Sequence, residues 1–360
     1  MGVNIFISWS PEYAAMSVSV GVVGATTHKG RQLVRVLDAH SEFTVASLTT
    51  TGDEVGASYG SVANVGDGES LSASTLALQL SETLPEAISE EVSLLFSALP
   101  KGQAEAIEPT FAEAGFVVSS VSPNERLAPD VPLIVPELNP DHLSLLAHQR
   151  EGRKWDGALV KAPSLGTAML SIPLAALGVD AVTAVTVSAL RSASGSHDEA
   201  VGSMTMLNNV VPHIPGASGR LETEPRKLLG TVDGAELSPA ALELSTSCSR
   251  VPTLGSSLLD VWVSTTEEQT AADVEAAFRD CAGSGLPSGP AQPLTVFLDP
   301  ERPQPRLDTT LGGGAGIGIG GVEPTANGVQ FHCVASDVGR GSVGTSVQNA
   351  ELLVERGYVE

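Results

Sequence analysis

Short apolar runs alternate with amphipathic stretches through the first half of this 360-residue chain. Residues 17–23 are apolar and β-branched, which predicts a buried strand, and residues 30–40 place leucines and valines at helical spacing. Further strand candidates at 43–48, 93–98 and 116–121 are separated by helical stretches. This alternation predicts an α/β fold with a Rossmann-like, doubly wound parallel sheet.

The pattern changes from about residue 155, where longer β-rich segments surround a helical run at 271–280. Those segments cover residues 181–190, 246–252, 258–264 and 293–298. We therefore predict a second domain of mixed α+β type. Residues 311–321 are very rich in glycine, which favours a flexible or closely packed loop, and residues 342–357 have the pattern of a final helix.

The composition fits a protein large enough for two domains, because 42% of its residues are hydrophobic. The formal net charge of -23 disfavours nucleic acid and acidic membranes as partners, since phosphate groups would be repelled. No run approaches the roughly 20 apolar residues that span a bilayer, and residues 1–16 lack the pattern of a secretory signal. The three cysteines are far apart, which suits a reducing compartment and gives no metal-ligand spacing. We therefore expect a cytoplasmic protein without a metal site.

Several separated strings along the chain carry a stronger signal than any single motif. They lie at 21–26 (GVVGAT), 96–100 (FSALP), 130–139 (DVPLIVPELN), 149–157 (QREGRKWDG), 223–230 (TEPRKLLG), 301–308 (ERPQPRLD) and 349–351 (NAE). In this order they resemble the aspartate-β-semialdehyde dehydrogenase family, most closely the branch found in archaea and fungi. The resemblance covers nearly the whole chain after about residue 17, and it predicts the fold more strongly than the activity.

The resemblance also implies a domain organisation. It predicts an N-terminal extension at 1–16, a Rossmann-like dinucleotide-binding domain at 17–154, and a substrate and dimerisation domain at 155–335. Residues 336–360 would contain a C-terminal helix that returns to the first domain. The family further implies a homodimer or homotetramer that acts on a small carboxylated substrate.

The turn after the first strand resembles the family's nucleotide loop, whose small residues let backbone amides approach a pyrophosphate. Here Thr27 replaces one glycine and can obstruct the phosphates, whereas His28 and Lys29 add positive charge. The cofactor-binding residues that the resemblance implies are Gly21, Gly24, Thr26, Thr27, His28, Lys29, Gly30 and Ser97.

Residues 49–54 (TTTGDE) follow the second strand, where relatives that use NADP place serine or arginine for the 2′-phosphate. The acids Asp53 and Glu54 would repel that phosphate, but an acid here can accept a hydrogen bond from the ribose of NAD. The predicted cofactor is therefore NADP or NAD. The alternative is a loop that joins strand to helix and binds no dinucleotide.

Two positions depart from the chemistry that the resemblance implies. The family's nucleophile loop matches residues 155–167, and Leu165 stands where that loop has the cysteine that attacks the substrate. The family's base is a histidine seven residues after an arginine, and here Arg250 is followed at that distance by Ser257. We therefore predict a divergent member that lacks the catalytic cysteine and histidine.

The groups that would hold an anionic substrate are retained. Glu224 and Lys227 lie three residues apart on a predicted helix, and their family counterparts contact the substrate's amino and phosphate groups. Arg250 matches the residue that holds the substrate carboxylate. The other implied substrate-binding residues are Lys161, Ser164, Leu165 and Ser257. The alternative is that Glu224 and Lys227 form a solvent-exposed pair and that Arg250 is a structural ion-pair partner.

A further candidate lies in the glycine- and serine-rich loop at 192–199. His197 and Asp198 offer acid/base chemistry near neutral pH, in a loop whose family counterpart lies near cofactor and substrate. Together with Glu224 and Lys227 they make up the predicted catalytic set. The alternative is a solvated cluster without a catalytic role.

Three hypotheses about function follow. The favoured one is a repurposed enzyme that catalyses a non-redox acid/base reaction on a carboxylate-bearing metabolite of specialised metabolism, as a cyclase, isomerase, lyase or decarboxylase. The second is an NAD(P)-dependent semialdehyde dehydrogenase or reductase that needs no covalent cysteine intermediate. The third is a catalytically inactive partner of an active relative.

Overall fold

Two β-sheets organise the chain in a computed structural model that describes residues 17–63, 71–194 and 203–359. The strands of the first sheet are β1 Val18–Val23, β2 Phe43–Thr50, β3 Leu80–Glu82, β4 Leu94–Ser97, β5 Val117–Ser120 and β6 Ala158–Lys161. Every pairing among them is parallel, in the order β3-β2-β1-β4-β5-β6. The predicted Rossmann-like sheet is therefore confirmed, and its strand order reverses between β1 and β4.

Helices cover both faces of this sheet. Those of the first half of the chain are α1 His28–Asp38, α2 Tyr59–Val62, α3 Ala73–Ala77, α4 Lys101–Glu113 and α5 Leu145–Arg153. Leu94 and Phe96 of β4 pack into an apolar cluster shared with α1, whereas Leu95 between them packs into a cluster shared with α4. Because alternate residues are buried on opposite faces, the central strands are nearly continuous apolar runs.

The second sheet belongs to a mixed α+β domain, as predicted, and it contains both parallel and antiparallel strand pairs. The remaining strands are β7 Val182–Ser192, β8 Thr231–Asp233, β9 Glu236–Ser238, β10 Glu243–Val251, β11 Ser256–Thr265, β12 Leu294–Val296, β13 Ile317–Thr325 and β14 Gly328–Ser336. β8 and β9 form a separate antiparallel pair, and the others form one sheet in the order β10-β7-β11-β14-β13-β12. In that sheet β10 with β7 and β12 with β13 are parallel, and the other pairs are antiparallel.

One buried helix connects the two sheets. The helices of the second half are α6 Leu165–Ala176, α7 Ser203–Met206, α8 Ala217–Leu228, α9 Ala271–Arg279 and α10 Ser342–Glu355. α6 follows β6 directly, and its first ten residues are all buried because it packs against α8 as well as β11 and β14. A helix that is apolar on all sides is stable only when it is covered in this way. The start of α6 is therefore held rigidly beside the carboxyl end of β6.

The glycine-rich segment differs from the loop that its composition favoured. Its second half is strand β13, in which Ile317 and Ile319 are fully buried. The alternating Gly318 and Gly320 lie under a neighbouring segment, and a Cβ on Gly320 would overlap the carbonyl oxygen of Arg302. These glycines serve close packing of two backbones, which composition alone does not distinguish from flexibility.

α10 packs against the first sheet although it follows the second sheet in sequence. Val343 joins the apolar cluster of β1 and α1. The hydroxyls of Ser346 and Ser119 lie 2.9 Å apart, and Nε2 of His40 lies 2.8 Å from Oε1 of Glu351. These contacts hold α10 against the first sheet and the end of α1.

In the described part of the chain, no helix is both long and apolar enough to cross a lipid bilayer. Over the same residues, His, Cys, Asp and Glu side chains form no group of three or more that could hold a metal ion.

Candidate active site and cofactor crevice

A crevice opens at the carboxyl ends of β1 and β4, where doubly wound folds bind their ligands. Gly24 in the turn after β1 has a φ of +78°, and a Cβ on Gly30 would overlap the carbonyl oxygen of Gly24. α1 begins directly after this turn, so its amino end faces the crevice. Thr27, His28 and Lys29 from this turn line the crevice wall.

The hydroxyl of Thr27 is held by the backbone around it. It lies 2.9 and 3.1 Å from the carbonyl oxygens of Gly24 and Ala98, to which it donates, and it accepts from the amide of Gly30 at 3.0 Å. Thr27 is therefore the N-cap of α1. Gly21 lies deeper, in β1, where a Cβ would meet the side chain of Leu95. The close packing of this turn fits the pyrophosphate of a dinucleotide.

Polar groups also lie at the carboxyl ends of the neighbouring strands, next to the residues that line the crevice. The hydroxyls of Thr26 and Thr50 lie 2.8 Å apart, and Thr50 also donates to the carboxylate of Glu54 at 3.1 Å. Ser97, the last residue of β4, is 1% exposed, and its hydroxyl has no hydrogen-bond partner among the described residues. A buried hydroxyl of this kind favours a ligand that supplies its missing partner.

A cavity of about 350 Å³ adjoins the crevice and shares His28, Lys29, Lys101 and Pro123 with it. Its lining is strongly cationic, although the chain as a whole has a net charge of -23. The ionisable residues of the lining are His28, Lys29, Lys101, Arg126, Arg191, Arg220, Arg250 and Asp337. This distribution of charge favours an anionic ligand.

Leu165 contributes an apolar part of the cavity wall at the start of α6. Ser164, which precedes it, is the N-cap of α6, and its hydroxyl lies 2.7 Å from that of Thr167. Both Ser164 and Leu165 line the cavity. The amino end of a 12-residue helix therefore faces the ligand space, which adds to its preference for anions.

Ser257 lies behind a carboxylate of the cavity wall. It is fully buried and donates to Oδ1 of Asp337 at 2.9 Å. Oδ2 of Asp337 accepts from the hydroxyls of Ser192 and Ser194. The three serines hold Asp337, the one acid among the described lining residues, in a fixed position.

Glu224 contacts protein groups and positions an arginine of the cavity. Its carboxylate accepts from Arg126 at 2.8 Å, from the hydroxyl of Thr167 at 2.6 Å and from the amide of Ser164 at 3.0 Å. Burial by itself raises the pKa of Glu224, but the Arg126 guanidinium and the two other donors outweigh it and hold the pKa below its usual 4.5. Arg126 lines the cavity, so Glu224 fixes the direction of its guanidinium.

We expect Glu224→Gln to lower the free energy of unfolding by about 2 kcal/mol at pH 7, because a charge-assisted bond to Arg126 is lost. Because the pKa of Glu224 is lower in the folded protein than in the unfolded chain, its ionised carboxylate stabilises the fold above pH 4.5. This stabilisation is lost as pH falls through the folded-state pKa. The difference between wild type and variant should therefore shrink below pH 4.5. Urea unfolding at pH 7 and pH 3.5 measures it.

The matched control is Glu275→Gln, which removes the pair of half-buried Glu275 with exposed Arg279 at the surface of α9. We expect this change to cost less than about 0.5 kcal/mol at both pH values. Equal losses for the two variants at pH 7 would contradict the role given to Glu224.

Lys161 and Lys227, which were predicted to bind substrate, are not among the described residues that line the cavity. Nζ of Lys227 donates to the carbonyl oxygens of Ala128 and Val131, each at 2.6 Å, and burial lowers the pKa of Lys227 to about 8. Lys161 is fully buried and donates to the carboxylate of Glu108. Burial also lowers the pKa of Lys161, although Glu108 opposes this. Substrate contact by either lysine stays a prediction.

Arg250 of β10 does line the cavity, at 4% exposure, and its Nη1 donates to the carbonyl oxygen of Ser192 at 3.2 Å.

Sequence reasoning missed Arg126, Arg191 and Arg220. Arg191 had one available signal, since a charged residue near the end of an apolar strand is unusual. Arg126 and Arg220 stand in no recognisable motif.

His197 and Asp198, the other predicted catalytic residues, lie outside the described residues. Their proposed acid/base role stays a prediction.

Fold and site together define a two-domain α/β protein in which a dinucleotide-type crevice opens into an anion-binding cavity. Residues 19–146 match the family model described as semialdehyde dehydrogenase, NAD binding domain. Residues 172–338 match the model described as semialdehyde dehydrogenase, dimerisation domain. The chain therefore belongs to the semialdehyde dehydrogenase family.

Individual relatives agree with this assignment. The aspartate-semialdehyde dehydrogenases of Archaeoglobus fulgidus and Methanothermobacter thermautotrophicus are 35% and 37% identical to the chain, each over 94% of this chain and 99% of the relative. The structure of aspartate semialdehyde dehydrogenase with NADP from Candida albicans superposes with a TM-score of 0.86 at 28% identity. That match covers 95% of this chain and 100% of the other.

Family membership corrects the favoured functional hypothesis. Relatives matched over nearly their full length are named as dehydrogenases, and the first domain matches an NAD binding domain. The prediction of a non-redox cyclase, isomerase, lyase or decarboxylase of specialised metabolism is therefore wrong, and the NAD(P)-dependent alternative is better supported. The error was to treat the absence of a thiolate at Leu165 as the absence of redox chemistry, although hydride transfer itself needs no thiolate.

Proposed function

We propose that this protein is an NAD(P)-dependent oxidoreductase that reduces a small acidic aldehyde by direct hydride transfer, without a covalent enzyme intermediate. The observation that carries the proposal is the junction of crevice and cavity, both of which are lined by His28, Lys29 and Lys101. A cofactor in the crevice and an anion in the cavity would meet there.

Leu165 and Ser257 support the absence of thioester chemistry. Leu165 presents an alkyl group to the cavity where the family resemblance calls for a thiolate. Ser257 commits its hydroxyl to Asp337, where the resemblance calls for a histidine base. None of the described residues that line the cavity is a cysteine. We infer that this family member lacks the catalytic cysteine and histidine.

When bound in the crevice, a reduced nicotinamide would supply a hydride to the carbonyl carbon of the substrate. The π electrons of the carbonyl would move to its oxygen, which would take a proton from water to give an alcohol. Arg250 would hold the substrate carboxylate through its planar guanidinium. Lys29 and Lys101 would stabilise the negative charge that develops on the oxygen. Gly24, Thr26, Thr27 and Gly30 would surround the pyrophosphate at the start of α1.

We propose that the cofactor is NAD(H) rather than NADP(H). Glu54 is linked through Thr50 to Thr26 of the nucleotide turn, which supports a place for its carboxylate near the adenosine ribose. Asp53 precedes it, so a 2′-phosphate would meet two negative charges. A ribose hydroxyl can instead donate to Glu54.

We also propose that dinucleotide binding resides in residues 17–154 and that substrate binding and dimerisation reside in 155–335. Residues 1–16 would be an extension, and 336–360 would return to the first domain. The match to a dimerisation domain over 172–338 supports a homodimer or homotetramer.

The proposal is tested by following nicotinamide absorbance while the protein acts on a panel of acidic aldehydes, including succinic and aspartic semialdehyde. We expect NADH to be oxidised, and we expect activity to persist after thiol alkylation. Alkylation that abolishes turnover, or NADH binding without turnover on any aldehyde, would contradict the mechanism. The latter result would favour an inactive partner of an active relative.

Cofactor choice is tested in parallel by fluorescence titration. We expect NADH to bind at least about tenfold more tightly than NADPH, and the double variant Asp53→Asn/Glu54→Gln to reduce this preference about tenfold. Glu113→Gln/Glu151→Gln, at exposed positions of α4 and α5, is the charge-matched control and should leave the preference unchanged. A preference for NADPH in the wild type would refute the assignment.

A further inference from the structure

Arg191, Arg220 and Arg250 converge on one wall of the cavity. Arg191 and Arg250 are register partners on the parallel strands β7 and β10, and Arg220 reaches the same cavity from α8. Burial lowers the pKa of Arg191, and the guanidiniums of Arg220 and Arg250 lower it further, whereas Asp337 opposes them. The three cations are therefore close enough to repel one another.

Like charges on paired strands destabilise a sheet unless an anion compensates them. Arg191 and Arg220 form no ion pair with any residue in the part of the chain that the structure describes. Asp337, held in place by three serine hydroxyls, offsets part of this charge, but it is the one acid among the described residues that line the cavity. Arg191 and Arg220 thus bring cationic charge to the cavity beyond Arg250, which alone suffices for one carboxylate.

Gly166 makes room for one of these guanidiniums. It is the second residue of α6, directly after Leu165, and a Cβ at this position would lie 3.2 Å from Nη1 of Arg191. Glycine within a helix is less favourable than alanine, and here the missing Cβ leaves space for the Arg191 guanidinium. The charge is thereby placed beside the amino end of α6.

Building on the proposed function, we propose that Arg191 and Arg220 extend the Arg250 site into a subsite for a substrate whose acidic end carries two negative charges. The guanidiniums would share a pair of carboxylates, as in a malonate-like group, or the oxygens of a single phosphoryl group. Arg191 is then the residue that distinguishes a doubly charged substrate from a simple monocarboxylate. Leu165 would contact the uncharged part of the same molecule.

The test is calorimetric titration of the whole protein with malonate, inorganic phosphate and propionate. We expect malonate or phosphate to bind at least about tenfold more tightly than propionate, and the tighter of the two identifies the acidic group. Arg191→Met should weaken binding of the dianions about tenfold or more while changing propionate binding less than about twofold. Arg279→Met, at an exposed arginine of α9, should change neither.

Two further measurements separate a binding role from a structural one. Without ligand, Arg191→Met should unfold at the same temperature as the wild type or higher, because a repelling charge is removed. Gly166→Ala, which crowds the Arg191 guanidinium, should weaken dianion binding while leaving propionate binding intact. Equal binding of all three anions by the wild type, or equal weakening of all three in Arg191→Met, would overturn the inference.

The proposed function can fail independently of this subsite. NADH titration of the same samples reports on the crevice, which contains none of the three arginines. Dianion selectivity without NADH binding would refute the proposed function and keep the subsite. NADH-dependent turnover without dianion selectivity would refute the subsite and keep the proposed function.

Discussion

Replacing Lys161 by methionine is expected to lower the free energy of unfolding by about 3–5 kcal/mol. Lys161 and Glu108 are 0% and 1% exposed, and the ammonium also donates to the hydroxyl of Ser120 at 2.9 Å. Removing the cation leaves the Glu108 carboxylate buried without its counter-ion, since Ser120 and Asn124 offer only neutral donors. Chemical denaturation at pH 7 measures the loss.

The double variant Glu108→Leu/Lys161→Met is the decisive comparison. A buried ion pair contributes little net stability relative to apolar residues of similar volume, so the second substitution should restore most of the loss. Lys154→Met, at an exposed lysine, should change the free energy of unfolding by less than about 0.5 kcal/mol. A double variant no more stable than Lys161→Met would show that the hydrogen bonds of the pair, not its charges, dominate.

Substitution of Gly30 by alanine should weaken NADH binding by at least about tenfold and destabilise the protein by about 3 kcal/mol. A Cβ on Gly30 would overlap the carbonyl oxygen of Gly24 and crowd the backbone of Ala25. The loop and the first turn of α1 must separate to relieve this overlap, and the gap between them is where we propose that the pyrophosphate binds. Fluorescence titration and thermal unfolding give the two readouts.

Gly102 provides a matched control for this prediction. It occupies the second position of α4, and no atom lies within 4 Å of a Cβ built there. Gly102→Ala should therefore stabilise the protein by about 0.5–1 kcal/mol through helix propensity and leave NADH binding unchanged. If Gly30→Ala also bound NADH normally, the pyrophosphate would not lie at this turn.

The fold class was predictable from the sequence because it depends on periodicity. Buried parallel strands such as β4 are short apolar runs, and the helix after β1 shows its apolar face directly. β13 was not predictable in the same way, since glycine alternating with Ile317 and Ile319 reads as a loop. Its register is given by pairing with β12 and β14, and Gly320 leaves room for the backbone of Arg302.

The candidate site was predictable only where the family resemblance marked it. Glu224 and Lys227 lie on a helix as expected, yet the tertiary structure directs them to different buried partners. Helical spacing shows which face of the helix carries a residue, but it does not show which part of the protein packs against that face. Arg191 lies beside Arg250 because β7 pairs with β10. Local sequence patterns do not predict the pairing of strands that are so far apart in the chain.

The place of α10 bears on how the protein is made. A ribosome releases β1 and α1 before the second sheet, but Val343, Val347 and Leu353, which complete their apolar cluster, are added only after that sheet. In the nascent chain, the apolar face of the first sheet that α10 covers therefore stays exposed while the entire second sheet is synthesised. Newly made chains should depend on chaperone protection during this interval.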